Sequence, residues 1–177
     1  MVRYISLLLF VGLAWGQNEY NIKHIVDQDS VYKKKFSDEI VNGIIYKITD
    51  DMKVPLGKMK NGKKDGLWTE WYPNKRKLEE TYRHGMLDGS VSLYYKTGQK
   101  EWRHTYNNGQ FEGLWTYWYE NGQKMREGNF MCGDSTGKWI WWDKNGRVEK
   151  EKKYKNRKNS IWANYNEYVL IETVTEP

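Results

Sequence analysis

The chain has 177 residues, with 29 Lys and Arg against 23 Asp and Glu, and 16% of its residues are aromatic. Although its mean hydropathy is −0.94, this aromatic content separates it from disordered chains, which lack the large apolar side chains that offset the entropy of folding. No apolar run reaches the roughly 18 residues of a membrane-spanning helix, which excludes a multi-span membrane protein. One Cys and three widely spaced His exclude a disulfide framework and a zinc cluster, so we expect no metal and no cofactor.

The first 16 residues have the order of a secretory signal peptide. Arg3 precedes an apolar stretch that ends at Leu13, and the small residues Ala14 and Gly16 take the −3 and −1 positions of a cleavage site. We therefore expect residues 1–16 to be removed on export to the periplasm or the medium. The alternative interpretation of this segment is a buried N-terminal strand or helix.

Residues 17–57 are expected to form capping strands with a degenerate copy of the repeat described next. Asn42-Gly43 lies 23 residues before the first reference glycine of that repeat, and the strand-like segment 44–48 follows it. Residues 24–36 offer one or two more strands. Such strands are needed because a repeat sheet has open edges that must be covered.

Residues 58–157 contain four tandem copies of a repeat of 23 to 24 residues. A reference glycine recurs at intervals of 23, 24 and 24 residues, with a second glycine four residues before it. A third glycine lies nine residues after it, except in the first copy, where Lys75 stands. Trp occupies the position two residues after the reference glycine, except in the second copy, which has Val91. The repeat-structural glycines are Gly62, Gly66, Gly85, Gly89, Gly98, Gly109, Gly113, Gly122, Gly133, Gly137 and Gly146.

Each copy has the pattern of one β-hairpin. Aromatic and β-branched residues favour strands, and Asn-Gly supplies the positive φ angles of a type I′ turn. Asn121-Gly122 marks a turn inside a copy, whereas Asn61-Gly62 and Asn108-Gly109 mark turns between copies. The sequence therefore predicts an all-β fold, an elongated single-sheet antiparallel meander of tandem hairpins with capping strands at both ends.

Residues 158–177 are expected to close the C-terminal end. Asn156, Ser160, Trp162 and Tyr165 keep the repeat spacing as a degenerate fifth copy, and the segment 168–171 supplies a terminal strand before the tail.

The motif G-x-W-x-x-W-Y-x-N-G-Q-K, complete in residues 113–124 and partial in the other copies, resembles the MORN repeat superfamily. The resemblance is closer to the variant found in bacterial YwqK-type antitoxins, and it spans roughly residues 43–165. It implies an elongated β-meander that acts in scaffolding, protein binding or membrane association, without a shared catalytic site. The antitoxin label implies a protein that binds and neutralises a toxin.

A two-residue turn at Asn121-Gly122 fixes which residues face each other, and hence the two faces of the sheet. It predicts that Trp118 lies opposite Met125 and, by the same rule, that Trp71 lies opposite Leu78. That face also carries Leu67, Leu114 and Ile140, and we expect it to be the drier one. The other face is expected to carry the pairs Tyr119–Lys124, Tyr95–Lys100 and Tyr117–Arg126, with Trp115 over Gly128.

The wetter face is predicted to present a ladder of flat rings that serves as a candidate binding surface. Exposed rings of this kind could stack sugars or bind an extended partner. The alternative interpretation is that the rings stack on one another and replace the missing second layer of the core. The candidate residues are Trp68, Tyr72, Tyr95, Trp115, Tyr119 and Trp139.

Two other features concern surface contacts. Cys132 is predicted to be an exposed thiol that could pair between molecules. The basic tract from Lys150 to Lys158 is a candidate for contact with an anionic envelope surface, lipid or glycan. Because acidic and basic residues are interleaved elsewhere, we expect no binding to nucleic acid.

Acidic residues recur by position in the copies, so no single pair is set apart for catalysis, and we expect no catalytic residue. The leading functional interpretation is a non-enzymatic exported module for protein interaction or envelope scaffolding. The alternatives are a glycan- or cell-wall-binding module that uses the rings, and an antitoxin-like protein. The sequence predicts neither the oligomeric state nor the identity of a partner.

Overall fold

The computed structural model describes residues 18–155 and the strand Thr173–Val174, and its regular structure is β-strand apart from one 3-10 turn at Ile22–His24. The strands are β1 (Glu19–Asn21), β2 (Ile25–Gln28), β3 (Val31–Lys34), β4 (Gly43–Thr49), β5 (Met52–Lys60), β6 (Lys63–Trp71), β7 (Lys77–Arg83), β8 (Met86–Tyr94), β9 (Lys100–Asn107), β10 (Gln110–Phe111), β11 (Gly113–Trp118), β12 (Lys124–Met131), β13 (Asp134–Trp142), β14 (Val148–Tyr154) and β15 (Thr173–Val174).

Thirteen of these strands form one sheet in the order β1-β4-β5-β6-β7-β8-β9-β11-β12-β13-β14-β15, with β10 paired to β9. Every pairing in the sheet is antiparallel except that between β1 and β4, and from β4 to β14 the strands follow one another in chain order, with the short β10 beside β9. The predicted all-β antiparallel meander of tandem hairpins is therefore confirmed.

The N-terminal end has a small core that covers the start of the meander. β2 and β3 form a separate hairpin, so they pack onto the large sheet instead of extending it. Ile45 and Met59 are almost fully buried between this hairpin and the sheet, together with Val41. β1 lies against β4 at Gly43, where a Cβ atom would come within 1.9 Å of the Asn18 carbonyl oxygen. Only glycine at this position allows the parallel edge strand to approach so closely.

The turns are of two kinds, and only one of them is the predicted type I′. Between copies, both central residues have positive φ, as in Asn61 (51°) and Gly62 (67°), or Cys132 (51°) and Gly133 (87°). Inside a copy only the glycine has positive φ, and the Gly122 amide donates to the Tyr119 carbonyl at 2.9 Å. The turn inside a copy is therefore a three-residue loop with a glycine bulge, and the prediction of a two-residue turn there is wrong.

The longer loop moves the register by one residue. Trp118 lies opposite Lys124, not Met125, and Trp71 lies opposite Lys77, not Leu78. The predicted pairs Tyr119–Lys124 and Tyr95–Lys100 are wrong for the same reason, because the Tyr119 amide donates to the Gln123 carbonyl and the Tyr95 amide to the Gln99 carbonyl. Beyond the loop a one-residue bulge restores the register, so the predicted pair Tyr117–Arg126 is present.

The predicted assignment of dry and wet faces is reversed in the structure. Trp71, Leu67 and Leu114 are 50%, 56% and 47% exposed, whereas Trp68 and Trp139 are only 6% and 7% exposed. The face that carries Trp68, Val91, Trp115 and Trp139 is called the tryptophan face below, and the opposite one, with Leu67, Leu114 and Ile140, the leucine face. Side chains of the tryptophan face cover one another, so this side of the sheet is the better buried.

Some predictions lie outside the described residues. They are the signal peptide at residues 1–16, the degenerate fifth copy and the predicted strand 168–171. The C-terminal edge strand β14 pairs with β15, which joins Glu151 to Val174 and Lys152 to Thr173. No helix within residues 18–155 is long and apolar enough to cross a membrane.

Candidate functional site

On the tryptophan face, two indole rings lie across glycines of the preceding strand. The Trp68 ring covers Gly57, and its Nε1 donates to the Lys58 carbonyl at 3.1 Å. The Trp139 ring covers Gly128 in the same way, so the expectation that Trp115 lies over that glycine is wrong. Trp115 is directly opposite Gly128 in the pairing of β11 with β12. The ring that covers Gly128, however, is that of Trp139, which belongs to the next copy.

The third tryptophan of the face stacks on a histidine. The Trp115 and His104 ring centroids are 3.6 Å apart with the planes at 11°, and Trp102 stacks on the other side of His104 at 4.2 Å. His104 is 7% exposed. Burial lowers its pKa to about 4, with a contribution from the positive charge of Arg126, so the imidazole is neutral near pH 7.

The second copy lacks this filling, and a cleft lies there. Val91 stands where the other copies have Trp, and Glu80 lies eleven residues before Val91, as Gly57 lies eleven residues before Trp68 and Gly128 eleven before Trp139. The cleft has a volume of about 570 Å³, which is within the range of ligand pockets. The apolar part of its floor consists of Leu78, Leu87, Val91, Leu93, Trp102 and Tyr106.

Glu80 lies in the floor, directly opposite Val91, and the loop between β6 and β7 forms the rim of the cleft. Tyr72, Pro73, Asn74 and Arg76 of this loop line the opening. The Arg76 guanidinium forms an ion pair with Glu101, but its Nε is buried without a hydrogen-bond partner in the described part of the chain. A largely apolar floor with a few polar groups is typical of a binding site.

The candidate tyrosines have different roles in the structure. The Tyr95 hydroxyl donates to the Trp118 carbonyl at 2.9 Å, and the Tyr119 hydroxyl donates to the Trp142 carbonyl at 3.0 Å. Both therefore tie one copy to the next. Tyr72 is 39% exposed, its hydroxyl has no partner among the described residues, and it lines the cleft.

The prediction that these six rings are exposed is therefore wrong for most of them. Trp68 and Trp139 are buried, Trp115 is stacked within the face, and Tyr95 and Tyr119 are half-buried links between copies. Of the six candidates, only Tyr72 lines the cleft. Binding of a ligand by these residues stays a prediction.

All eleven repeat glycines have φ between 65° and 120°, the region in which glycine is favoured.

One row of directly opposed residues crosses the tryptophan face from β6 to β14, and we call it the cross-strand row. It begins with an acid, continues over the cleft floor and ends with bases interleaved with aromatic rings. Its members, one from each strand, are Glu70, Leu78, Leu93, Trp102, Tyr117, Arg126, Trp141 and Lys150. Within it, the Arg126 Cζ lies 3.9 Å from the Tyr117 ring centroid and the Lys150 Nζ 5.6 Å from the Trp141 centroid.

Buried polar atoms without partners concentrate on this face. Within residues 18–155 these side-chain atoms are Nε of Arg76, Nε2 of His104, Nε1 of Trp115 and Nε of Arg126. Native structures leave few such groups, so this cluster requires an explanation. The same residues contain no group of three or more His, Cys, Asp or Glu that could hold a metal ion.

The cleft was missed by sequence reasoning, although a signal for it is present. Val91 interrupts the series of tryptophans, and Glu80 interrupts the series of small or flat residues beneath them. When one copy of a repeat has different residues at two positions that contact each other, the shape of the surface at that copy is expected to differ from the shape at the other copies. The prediction of an exposed thiol at Cys132, in the turn between β12 and β13, is confirmed.

Two consecutive segments of the chain, residues 111–131 and residues 135–156, match the family model described as MORN repeat variant. The first match covers β10 to β12 and the second β13 and β14, so each corresponds to one hairpin copy. Repeats of this kind generally take part in protein or membrane interactions. No curated protein shows significant similarity to the chain.

Proposed function

We propose that this chain is an exported, non-enzymatic interaction module that holds a partner protein on its tryptophan face. The observation that carries the proposal is the cleft at the second copy, where Val91 and Glu80 replace the tryptophan and glycine of other copies. The repeats supply a continuous sheet on both sides of the cleft, and the MORN-like hairpins favour an interaction role over catalysis.

Two neighbouring residues on opposite faces provide a direct test. Tyr72 lines the cleft and Trp71 is half exposed on the leucine face. With p-benzoylphenylalanine at position 72, irradiation in cells of the source organism should yield a discrete cross-linked protein. p-Benzoylphenylalanine at position 71 is the matched control and should not give that cross-linked protein. Equal yields from both positions, or no product from position 72, would contradict the proposal.

A variant that fills the cleft completes the test. Glu80→Gly combined with Val91→Trp gives the second copy the pairing found at Trp68 over Gly57 and at Trp139 over Gly128. The cross-link from position 72 should then disappear while the chain stays folded, as judged by an unchanged β-sheet circular dichroism spectrum. Retention of the wild type by purified cell-wall polysaccharide, with no protein captured, would favour the glycan-binding alternative instead.

Export is part of the proposal and has its own test. Residues 1–16 have the pattern of a cleaved signal, and removal after Gly16 would leave Gln17 two residues before β1. N-terminal sequencing of the protein from the periplasm or the medium should therefore begin at Gln17. Neutralisation of a toxin, as the resemblance to YwqK-type proteins implies, would be one form of this binding and would require a toxin in the same compartment.

A further inference from the structure

Resting on the proposed function, we propose that the partner contributes an extended acidic segment that lies along the cross-strand row. A bulky apolar side chain of the segment occupies the cleft, and its carboxylates lie over Arg126, Lys150 and Lys152. Neither the family match nor the cleft alone specifies this chemistry.

The charge distribution of the tryptophan face supports an acidic partner with a defined direction. Glu70 stands at the β6 end of the row, whereas Arg126 and Lys150 stand at its other end, and Lys152 lies beside Trp139 on the same face. None of these three bases has a salt-bridge partner within the described ranges. On the leucine face, Lys124 and Lys138 are paired with Glu127 and Glu151, while Lys153 has no such partner within the same ranges.

The donor chemistry of the basic end of the row is the second observation. Arg and Lys side chains donate hydrogen bonds and have no acceptor atom. Arg126, Lys150 and Lys152 therefore match a ligand that supplies carboxylate oxygens, which an extended segment with acidic side chains carries.

The spacing of the row sets the spacing of the partner's residues. Neighbouring strands lie about 4.8 Å apart, so Arg126 is about 10 Å and Lys150 about 19 Å from Trp102 at the cleft. An extended chain rises about 3.3 Å per residue, which places the carboxylates roughly three to six residues from the apolar side chain. The cleft suits a single protruding apolar side chain, and the bases beyond it stand at fixed spacing, so the observations favour a polypeptide over a membrane.

The test uses the mature chain, residues 17–177, and a fluorescein-labelled peptide of eight residues with one Phe followed four and five positions later by Glu. We expect saturable binding by fluorescence anisotropy that weakens as salt is raised. A peptide with Lys in place of Glu, and an isomer with both Glu directly beside Phe, should each bind at least tenfold more weakly.

Paired charge reversals on one pair of strands locate the site. Lys150→Glu with Lys152→Glu changes the tryptophan face and should weaken the peptide at least tenfold. Lys138→Glu with Lys153→Glu makes the same change in net charge on the leucine face, where these two residues are directly opposed, and should leave the affinity unchanged. Glu80→Gly with Val91→Trp should also abolish binding.

Three results would overturn the inference. They are equal binding of the Glu and Lys peptides, equal loss from both pairs of reversals, and binding to vesicles of phosphatidylglycerol and phosphatidylcholine without binding to the peptide. If the peptide fails while p-benzoylphenylalanine at position 72 still captures a protein, the acidic-segment inference is wrong and the proposed function stands. If both fail, the proposed function fails as well.

Discussion

The Trp139 ring lies so close over Gly128 that a Cβ atom at residue 128 would come within 2.0 Å of the indole. The backbone of Gly128 does not adopt the left-handed conformation, so alanine is excluded by the ring and not by φ. We expect Gly128→Ala to lower the free energy of unfolding by about 1–3 kcal/mol through overpacking, measured by urea denaturation.

A double-mutant cycle isolates this contact. In a Trp139→Leu background the added methyl group no longer meets a ring, so Gly128→Ala should cost much less than in the wild type. The same cost in both backgrounds would show that the glycine is required for another reason.

Lys75 occupies a turn position that three other copies give to glycine. Its φ is 64°, close to the values of Gly98, Gly122 and Gly146, and a side chain in this region is strained. Lys75→Gly should therefore stabilise the protein by about 0.5–1 kcal/mol in urea denaturation. The reverse change, Gly122→Lys, should destabilise it, and a loss of stability from Lys75→Gly would contradict the assignment.

Tyr119 and Tyr72 differ in their hydroxyl partners, and this difference can be measured. Tyr119→Phe leaves the Trp142 carbonyl without its 3.0 Å hydrogen bond and should cost about 1 kcal/mol of unfolding free energy. Tyr72→Phe is the matched control, because the Tyr72 hydroxyl has no partner in the described part of the chain. Equal effects of the two changes on thermal or urea stability would refute the role of Tyr119 as a link between copies.

The buried imidazole of His104 makes stability depend on pH. Because its folded pKa is about 4 and the ordinary value is about 6.5, the unfolded chain takes up the proton first as pH falls. The free energy of unfolding should therefore decrease from pH 6.5 towards pH 4, by about 1–2 kcal/mol between pH 7.5 and pH 5. Urea denaturation at these two pH values measures it.

His104→Phe keeps a flat ring between Trp102 and Trp115 and removes the titrating group. This variant should lose most of the dependence between pH 7.5 and pH 5. If the variant and the wild type lose stability equally over this interval, other groups are responsible.

The fold could be predicted because every copy repeats the same local signals. The glycine spacing located the hairpins, and the motif around Gly113 pointed to the family that residues 111–131 match. The turn inside each copy was mistaken because Asn-Gly fits two kinds of turn. At Asn61-Gly62 both residues have positive φ, whereas at Asn121-Gly122 only the glycine does. The two turns differ in loop length, which the Asn-Gly dipeptide alone does not determine.

The assignment of faces failed for a related reason. The one-residue error in register pairs Trp71 with Leu78 and suggests a dry leucine face, but burial in a single-layer sheet depends on contacts between side chains of successive copies. His104 between Trp102 and Trp115, and Trp139 over Gly128, are such contacts. The cleft follows from the absence of one such contact at Val91, and this difference between copies is not part of the pattern that the copies share.

The length of the cross-strand row depends on the number of repeat copies. Each hairpin adds two strands, so duplication of one copy would lengthen the row by about 10 Å without disturbing the chemistry at either end. Under the proposed mode of binding, a chain with one more hairpin would bind a partner segment about three residues longer. The position of the one copy that lacks its tryptophan would determine where along such a segment the apolar anchor must stand.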